Sequence, residues 1–217
     1  MLFANARSVA EHTNVSPLGR TWTPRVTAAA IIALAGLVAG CGGKPFNVKP
    51  RPSLGKTEFR ASGEIDGVGI QAEALTDEDY LFEIFDANLI QAGVYPVHIR
   101  MTNNGTGSLE LKRAKFGVKS AAGKRFRVSE PRRTYKHLIS YYELSLYSKD
   151  GYKRSLSDFT SYAFDTRAPL APGESRVGIL FFLLPSETAR EGELTLEATR
   201  LNSKHAGTDS SLELKLK

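Results

Sequence analysis

Short alternating runs and regular turn signals predict an all-β fold for this 217-residue chain, and a lone cysteine excludes a disulfide framework within it. Alternation places apolar side chains on one face at every second residue, as a half-buried strand requires. Clusters of Gly, Pro and Asn punctuate the runs at the spacing of a sandwich or barrel. One cysteine cannot form an internal bridge, so a hydrophobic core rather than a disulfide framework must hold the domain. With 41% hydrophobic and 24% charged residues, the composition excludes collagen-like, low-complexity and largely disordered chains. The expected order is a signal helix, a flexible tether and a β-sandwich with a helical or irregular insertion.

The N-terminal portion reads as an address. Arg20 and Arg25 precede an uncharged apolar run, residues 26–38. Thirteen helical residues span ~20 Å, short of the ~30 Å of a bilayer core. A positive stretch, a short apolar stretch and small residues after it are the pattern of a secretory signal. The long region before Arg20 carries Glu11, and Val15 is an alternative start that leaves a conventional short leader. Leu37-Val38-Ala39-Gly40-Cys41 resembles the lipobox of bacterial lipoproteins. The resemblance implies cleavage after Gly40, a diacylglycerol on the Cys41 sulfur and acylation of the new N-terminus. It also implies a cell-envelope location. Gly42 stands where a retention aspartate would keep an enteric-type lipoprotein on the inner membrane, so the outer membrane is favoured if the organism has one. Two or more acyl chains suffice for stable anchoring, where one is marginal.

Residues 41–56 read as the lipidated tether, rich in Pro and Gly and without apolar periodicity. Such a segment extends at ~3.1 Å per residue and could hold the domain about 45 Å from the lipid. Lys44, Lys49, Arg51 and Lys56 make it basic. A solvated spacer is the preferred reading, and attraction to anionic headgroups is the alternative.

Residues 57–217 form the expected domain. Val68-Gly-Ile70-Gln-Ala72-Glu-Ala74 alternates, as does Tyr95-Pro-Val97-His-Ile99-Arg-Met101. The second run puts His98 and Arg100 on the face opposite Val97, Ile99 and Met101. The turn at residues 103–107 leads to Leu109-Glu-Leu111 and Phe116-Gly-Val118. A hairpin turn at residues 121–124 leads into Phe126-Arg-Val128. Phe159, Tyr162 and Phe164 read as strand-like. After the turn at residues 171–174, the continuous apolar run 177–184 reads as a fully buried central strand. Leu194-Thr-Leu196-Glu-Ala198 and Leu212-Glu-Leu214-Lys-Leu216 close the chain. About eight strands result.

Two segments have helical spacing. Residues 77–85 place Leu81, Ile84 and Phe85 on one face, with acids in the first turn where the helix dipole favours them. Residues 132–147 place Tyr135, Leu138, Ile139, Tyr142 and Leu146 at intervals of three and four. The pairing of residues 93–97 and Asn104-Gly105 with the later Pro172-Gly173 and Phe181-Phe182 resembles immunoglobulin-like domains of small bacterial lipoproteins. The resemblance covers about residues 68–216 and implies an immunoglobulin-like β-sandwich.

Catalytic constellations are thin. With Cys41 lipidated there is no thiol nucleophile and no cysteine metal ligand. His98, His137 and His205 have no pair at the i, i+3 or i+4 spacing of a zinc helix. Asp77-Glu78-Asp79 lacks the glycine and terminal glutamate of a calcium loop and reads as a helix start. Ser53-Leu54-Gly55-Lys56 matches a Ser-x-x-Lys pattern without the partner motifs that give it chemistry. Gly67-Val-Gly69 and Gly105-Thr-Gly107 are too short for a nucleotide fingerprint. No metal or cofactor is expected, and no enzymatic role.

Charge is unevenly placed. Residues 112–136 hold ten bases against Glu130 alone, whereas residues 73–86 hold six acids and no base. The basic stretch suits an anionic polymer, lipid headgroups or an acidic protein. The alternative is a solvated outer face in which lysine protects strand edges. Nucleic acid is not expected as a partner of an exported protein. The insertion, residues 132–154 from Arg132 to Arg154, mixes Tyr with Lys and Arg, residue types common at interface hot spots. Arg132, Arg133, Tyr135, Lys136, Tyr141 and Tyr142 are the candidate binding surface. Tyr135 and Tyr142 have the alternative role of seating the insertion on the sandwich. The expectation is therefore a membrane-anchored binding or adaptor protein with a protein or envelope-polymer partner. A structural accessory of an envelope complex is the alternative.

Overall fold

A computed structural model describes residues 43–51, 58–190, 194–199, 201 and 211–216. The expected signal peptide of residues 1–40 with its cleavage after Gly40, the expected lipid attachment at Cys41, the Ser53 and Lys56 motif and His205 lie outside the described residues. Among the described residues no helix is long and apolar enough to cross a membrane.

Eight strands carry the fold: β1 (Ala61–Ile65), β2 (Val68–Ala74), β3 (Val94–Asn103), β4 (Lys115–Ser120), β5 (Arg125–Ser129), β6 (Ser175–Leu183), β7 (Leu194–Thr199) and β8 (Ser211–Leu216). The helices are α1 (Glu78–Phe85), α2 (Pro131–Tyr141), α3 (Lys149–Ser161) and the short α4 (Ser186–Arg190). The strand order is β1-β2-β3-β6-β5-β4-β7-β8, with neighbours antiparallel. An isolated parallel bridge joins Ala163 to Ile179. The two ends of the order approach each other. A Cβ added to Gly63 of β1 would lie 2.9 Å from Leu212 of β8, so the glycine lets the strands close toward a barrel.

The expected alternation is realised in the register. Ile70, Ala72 and Ala74 of β2 face Met101, Ile99 and Val97 of β3, and all six are buried. The apolar run in β6 is buried on both faces, as a central strand between β3 and β5 should be. Val97 opposes Leu180 on one face, while Phe181 on the other meets Phe159 at 4.8 Å and Phe85 at 6.2 Å. That second face carries α1 and α3. Their aromatic side chains, with Tyr135 and Tyr162, form a layer of edge and stacked ring contacts. Asp77 caps α1 by accepting from the Tyr80 N–H, and Glu78 and Asp79 occupy the first turn.

Several segments depart from expectation. Residues 159–164 do not form a strand: Phe159 lies in α3, and only Ala163 bridges to β6. Leu109 makes a single bridge to Leu170, and Leu111 begins a 3-10 turn. β1, built on small residues, has no counterpart in the expected strands. The expected helix of residues 132–147 ends at Tyr141, and α3 follows after a short loop, making an αα-hairpin.

The tether is also corrected. Residues 43–51 run along α3, from its N-terminus to its C-terminus, with Phe46 and Val48 each 4% exposed. The Gly43 carbonyl accepts from the Ser148 N–H (3.2 Å), the Phe46 carbonyl from Ser155 Oγ (2.6 Å), and the Lys49 carbonyl from Tyr162 Oη (2.9 Å). On the other side, the Lys49 N–H donates to the Ile84 carbonyl of α1. Arg51 donates to the Ser161 and Val177 carbonyls. Burial of Phe46 alone contributes ~1.5–3 kcal/mol, which explains why a Pro- and Gly-rich segment packs instead of remaining solvated. Gly151 and Ser155 of α3 are buried and small, which makes room for this segment.

Candidate functional site

The αα-hairpin has two ends. At one, the N-terminus of α2 meets the C-terminus of α3 and the loop beyond it. Pro131 occupies the first turn of α2, where its missing N–H costs nothing. Glu130 supplies its carbonyl to Thr134, and its side chain makes no capping bond. An open groove of about 590 Å³ lies here, lined by Glu130, Arg132, Thr160, Phe164, Asp165 and Arg167 among others.

Arg176 on β6 fixes the far wall. Its guanidinium donates to the carbonyls of Asp165, Ala168 and Pro169 and pairs with Glu174 at 3.0 Å. Asp165 accepts from the Arg167 backbone N–H (2.9 Å) and from its Nε (3.0 Å). These bonds, the backbone one first, hold the Asp165 carboxyl below its ordinary range. The groove thus presents two guanidinium groups, one of them engaged by a fixed carboxylate, beside an apolar ring. With Glu130 and Asp165 against Arg132 and Arg167 the lining is charge-balanced, which suits a polar ligand carrying both hydrogen-bond donors and acceptors.

Arg132, Arg133 and Lys136 are exposed and share one face of α2. Arg132 joins that face to the groove. Two of the other candidates are corrected in role. Tyr135 is fully buried, with ring contacts to Phe46 at 5.8 Å and Phe159 at 5.5 Å, and it cannot touch a partner. Its phenol is pushed up to about 12, first by desolvation. Tyr142 is half-buried, and its hydroxyl accepts from the Asn88 N–H and donates to the Asn88 carbonyl. Both rings pack inward, Tyr135 against Phe46 and Phe159 and Tyr142 against Phe46 and the Asn88 backbone. Tyr141 remains 44% exposed but sits at the opposite end of α2 from Arg132.

The basic strands are less available than their sequence implies. Cross-strand pairing brings Arg125 to Glu197 at 3.1 Å and Lys119 to Glu213 at 3.4 Å. β7 and β8 supply the acids that the local charge count omits. Lys112, Arg113, Lys115, Lys124 and Arg127 remain exposed.

Among the described residues, His98 and His137 do not assemble a catalytic pair with a free acid. His98 is 4% exposed and opposes Glu73 across the β2–β3 ladder. Glu73, however, accepts from the Arg60 backbone N–H at 3.0 Å and pairs with its guanidinium at 3.5 Å. Phe59 lies over His98 at 5.0 Å. Among the described residues neither imidazole nitrogen has a hydrogen-bond partner. Burial, then Arg100 and Arg51, depress its pKa to about 4. His137 Nε2 lies 2.7 Å from the Ala92 carbonyl, on a smaller groove whose lining holds no carboxylate. Among the described residues no three His, Cys, Asp or Glu side chains gather as a metal site.

The groove was not legible in the sequence, because its walls come from segments some 30 residues apart: Glu130 to Arg132, and Thr160 to Arg167. No family model matches the chain, and no curated protein matches it. Among solved structures, a conserved hypothetical protein from Bacillus anthracis is similar over 69% of this chain and 90% of that one, at 8% identity and a TM-score of 0.33. A likeness at that level carries no argument about fold or function.

Proposed function

We propose that the protein is a lipid-anchored envelope protein, held by Cys41, whose domain binds a protein or envelope-polymer partner without catalysis. The observation that carries this reading is the exposed cationic face of α2, Arg132, Arg133 and Lys136, running into an open groove with Arg167 on its far wall. Charged side chains on a rigid helix steer encounter and set specificity. The location follows from the lipobox resemblance: the cell envelope, and the outer membrane where there is one. No cofactor or nucleic acid belongs to this reading.

The finer fold belongs here as well. We read the eight strands as an immunoglobulin-like sandwich of two four-stranded faces. Two features support that description. The order contains two overlapping Greek keys, β3-β6-β5-β4 and β6-β5-β4-β7, a connection common in sandwiches. Among the described residues the ladder pairing between β5 and β6 is short, Val128–Phe182 and Ser129–Phe181.

The test replaces Arg132, Arg133 and Lys136 together with Glu and repeats capture of partners from envelope extract. Loss of a specific partner supports the reading, and an unchanged partner set removes this surface. The second reading, an assembly accessory, is favoured by Val128, 41% exposed on the thinly paired β5. Crosslinking in intact cells separates the two. A fixed stoichiometric neighbour through β5 indicates assembly, whereas capture through α2 indicates binding.

A further inference from the structure

The other end of the αα-hairpin carries features that the binding groove does not use. Leu146, in the loop between α2 and α3, is 91% exposed. Tyr141, 44% exposed, ends α2 and lines the smaller groove with His137. Tyr147, half-buried, stacks on Tyr152 at 5.7 Å. Lys149, Lys153 and Arg154 are exposed on the first turns of α3, with Lys153 also 3.7 Å from Asp150. An exposed leucine flanked by tyrosines and cations has the residue types of a membrane–water interface, where aromatic rings and long basic side chains anchor.

The path of the N-terminal segment decides which surface this end meets. The Gly43 carbonyl is bonded to the Ser148 N–H at 3.2 Å, so the segment starts against this loop. Gly151 tolerates no side chain here, since a Cβ would lie 2.4 Å from that carbonyl. Cys41 is two residues before Gly43 and Leu146 two before Ser148. Two residues reach at most ~7 Å, so the lipid attachment point lies within on the order of 20 Å of Leu146. A spacer of tens of ångströms is replaced by a short leash. The bilayer that holds the lipid is then present at this loop at high effective concentration.

We infer that the tip formed by Leu146 and Tyr147 inserts into the interfacial layer of the bilayer that Cys41 is anchored in. The inference rests on the reading that Cys41 carries lipid. The domain therefore lies on the membrane by one end of the hairpin. The groove at the N-terminus of α2 points away from it, separated by the ~15 Å length of that eleven-residue helix. The anchor segment and the two helices form one device that sets the height and orientation of the binding face.

The test uses the full chain with a single new thiol. Cys41 is the only cysteine, and a lipidated sulfur does not react with a maleimide. Leu146→Cys and, for comparison, Lys124→Cys in the exposed β4–β5 turn receive an environment-sensitive fluorophore. The labelled proteins are reconstituted into phosphatidylethanolamine–phosphatidylglycerol vesicles carrying nitroxide-labelled lipid. The inference expects a blue shift and several-fold stronger lipid quenching at position 146 than at 124. A solvent-like, unquenched probe at 146 on protein whose mass shows lipid at Cys41 overturns the inference and leaves the anchor standing. A probe at 146 shielded from water yet untouched by lipid nitroxide means a protein covers the tip, which also overturns it. Protein without lipid at Cys41 overturns both readings, and the mass measurement separates that case from the first. Leu146 is too exposed for the substitution to disturb folding.

Discussion

His98 makes stability depend on pH in a way that can be worked from its surroundings. The imidazole is buried under Phe59, has no hydrogen-bond partner among the described residues, and has Arg100 and Arg51 nearby. Protonation in the folded state would bury a cation beside two others, so the folded pKa falls from 6.5 to about 4. Between those values the unfolded chain binds the proton and the folded chain does not. Stability is therefore fully present above pH 6.5 and falls as pH drops toward 4, after which the loss levels off. Between about pH 7 and about pH 5 the loss is ~2 kcal/mol. Urea unfolding at both pH values, on the parent protein and on His98→Leu, reads it out. The variant should lose ~2 kcal/mol less than the parent over that interval. Because carboxylates titrate in both proteins, the comparison isolates the histidine. Equal losses would show that His98 is solvated or partnered in the folded state and would refute the reasoning.

Two further predictions concern the N-terminal segment. Phe46→Ala removes a buried ring packed edge-on against Tyr135 and Tyr142, and should cost ~3–5 kcal/mol in urea unfolding. Amide exchange in residues 43–51 should rise well beyond that in β6. Gly151→Ala would ordinarily gain up to ~1 kcal/mol from helix propensity. Here the new Cβ meets the Gly43 carbonyl at 2.4 Å, so the melting temperature should fall and residues 43–46 should become protease-sensitive.

Most of the sheet was legible because period two survives in it. β2, β7 and β8 bury mostly alternate residues, β3 keeps an alternating sequence although nearly every position is buried, and β6 reads as a continuous apolar run because both its faces are covered. β1 escaped because its inward positions include Ala61 and Gly63, which carry no hydrophobic signal. α3 escaped because Gly151 and Ser155 occupy its buried face, where small size rather than apolarity is required. Tyr152, Leu156 and Phe159 at helical spacing, with Ser148 as the capping residue, were the signal that could have found it. The tether was misjudged because proline and glycine outweighed Phe46 and Val48, two apolar residues at strand spacing. Its partners lie more than a hundred residues later, in α3, and no local pattern reports them.

The candidate site divided along similar lines. Exposed Arg132, Arg133 and Lys136 were recognisable from helical spacing and charge. Tyr135 was not separable from them, since a tyrosine on an amphipathic helix faces either way until its packing partner is known. Here the partner is Phe46, from the segment read as solvated. The pairing of cations in β4 and β5 is invisible to a local charge count because Glu197 and Glu213 reach them only through strand pairing.

Anchoring through Cys41 is the claim on which location, partner and membrane orientation all depend. The direct measurement follows metabolic incorporation of a labelled fatty acid and membrane fractionation for the parent chain and for Cys41→Ser. The parent should carry the label and sediment with membranes, and the variant should lose both. A variant that stays on the membrane, or a parent without label, would contradict the account.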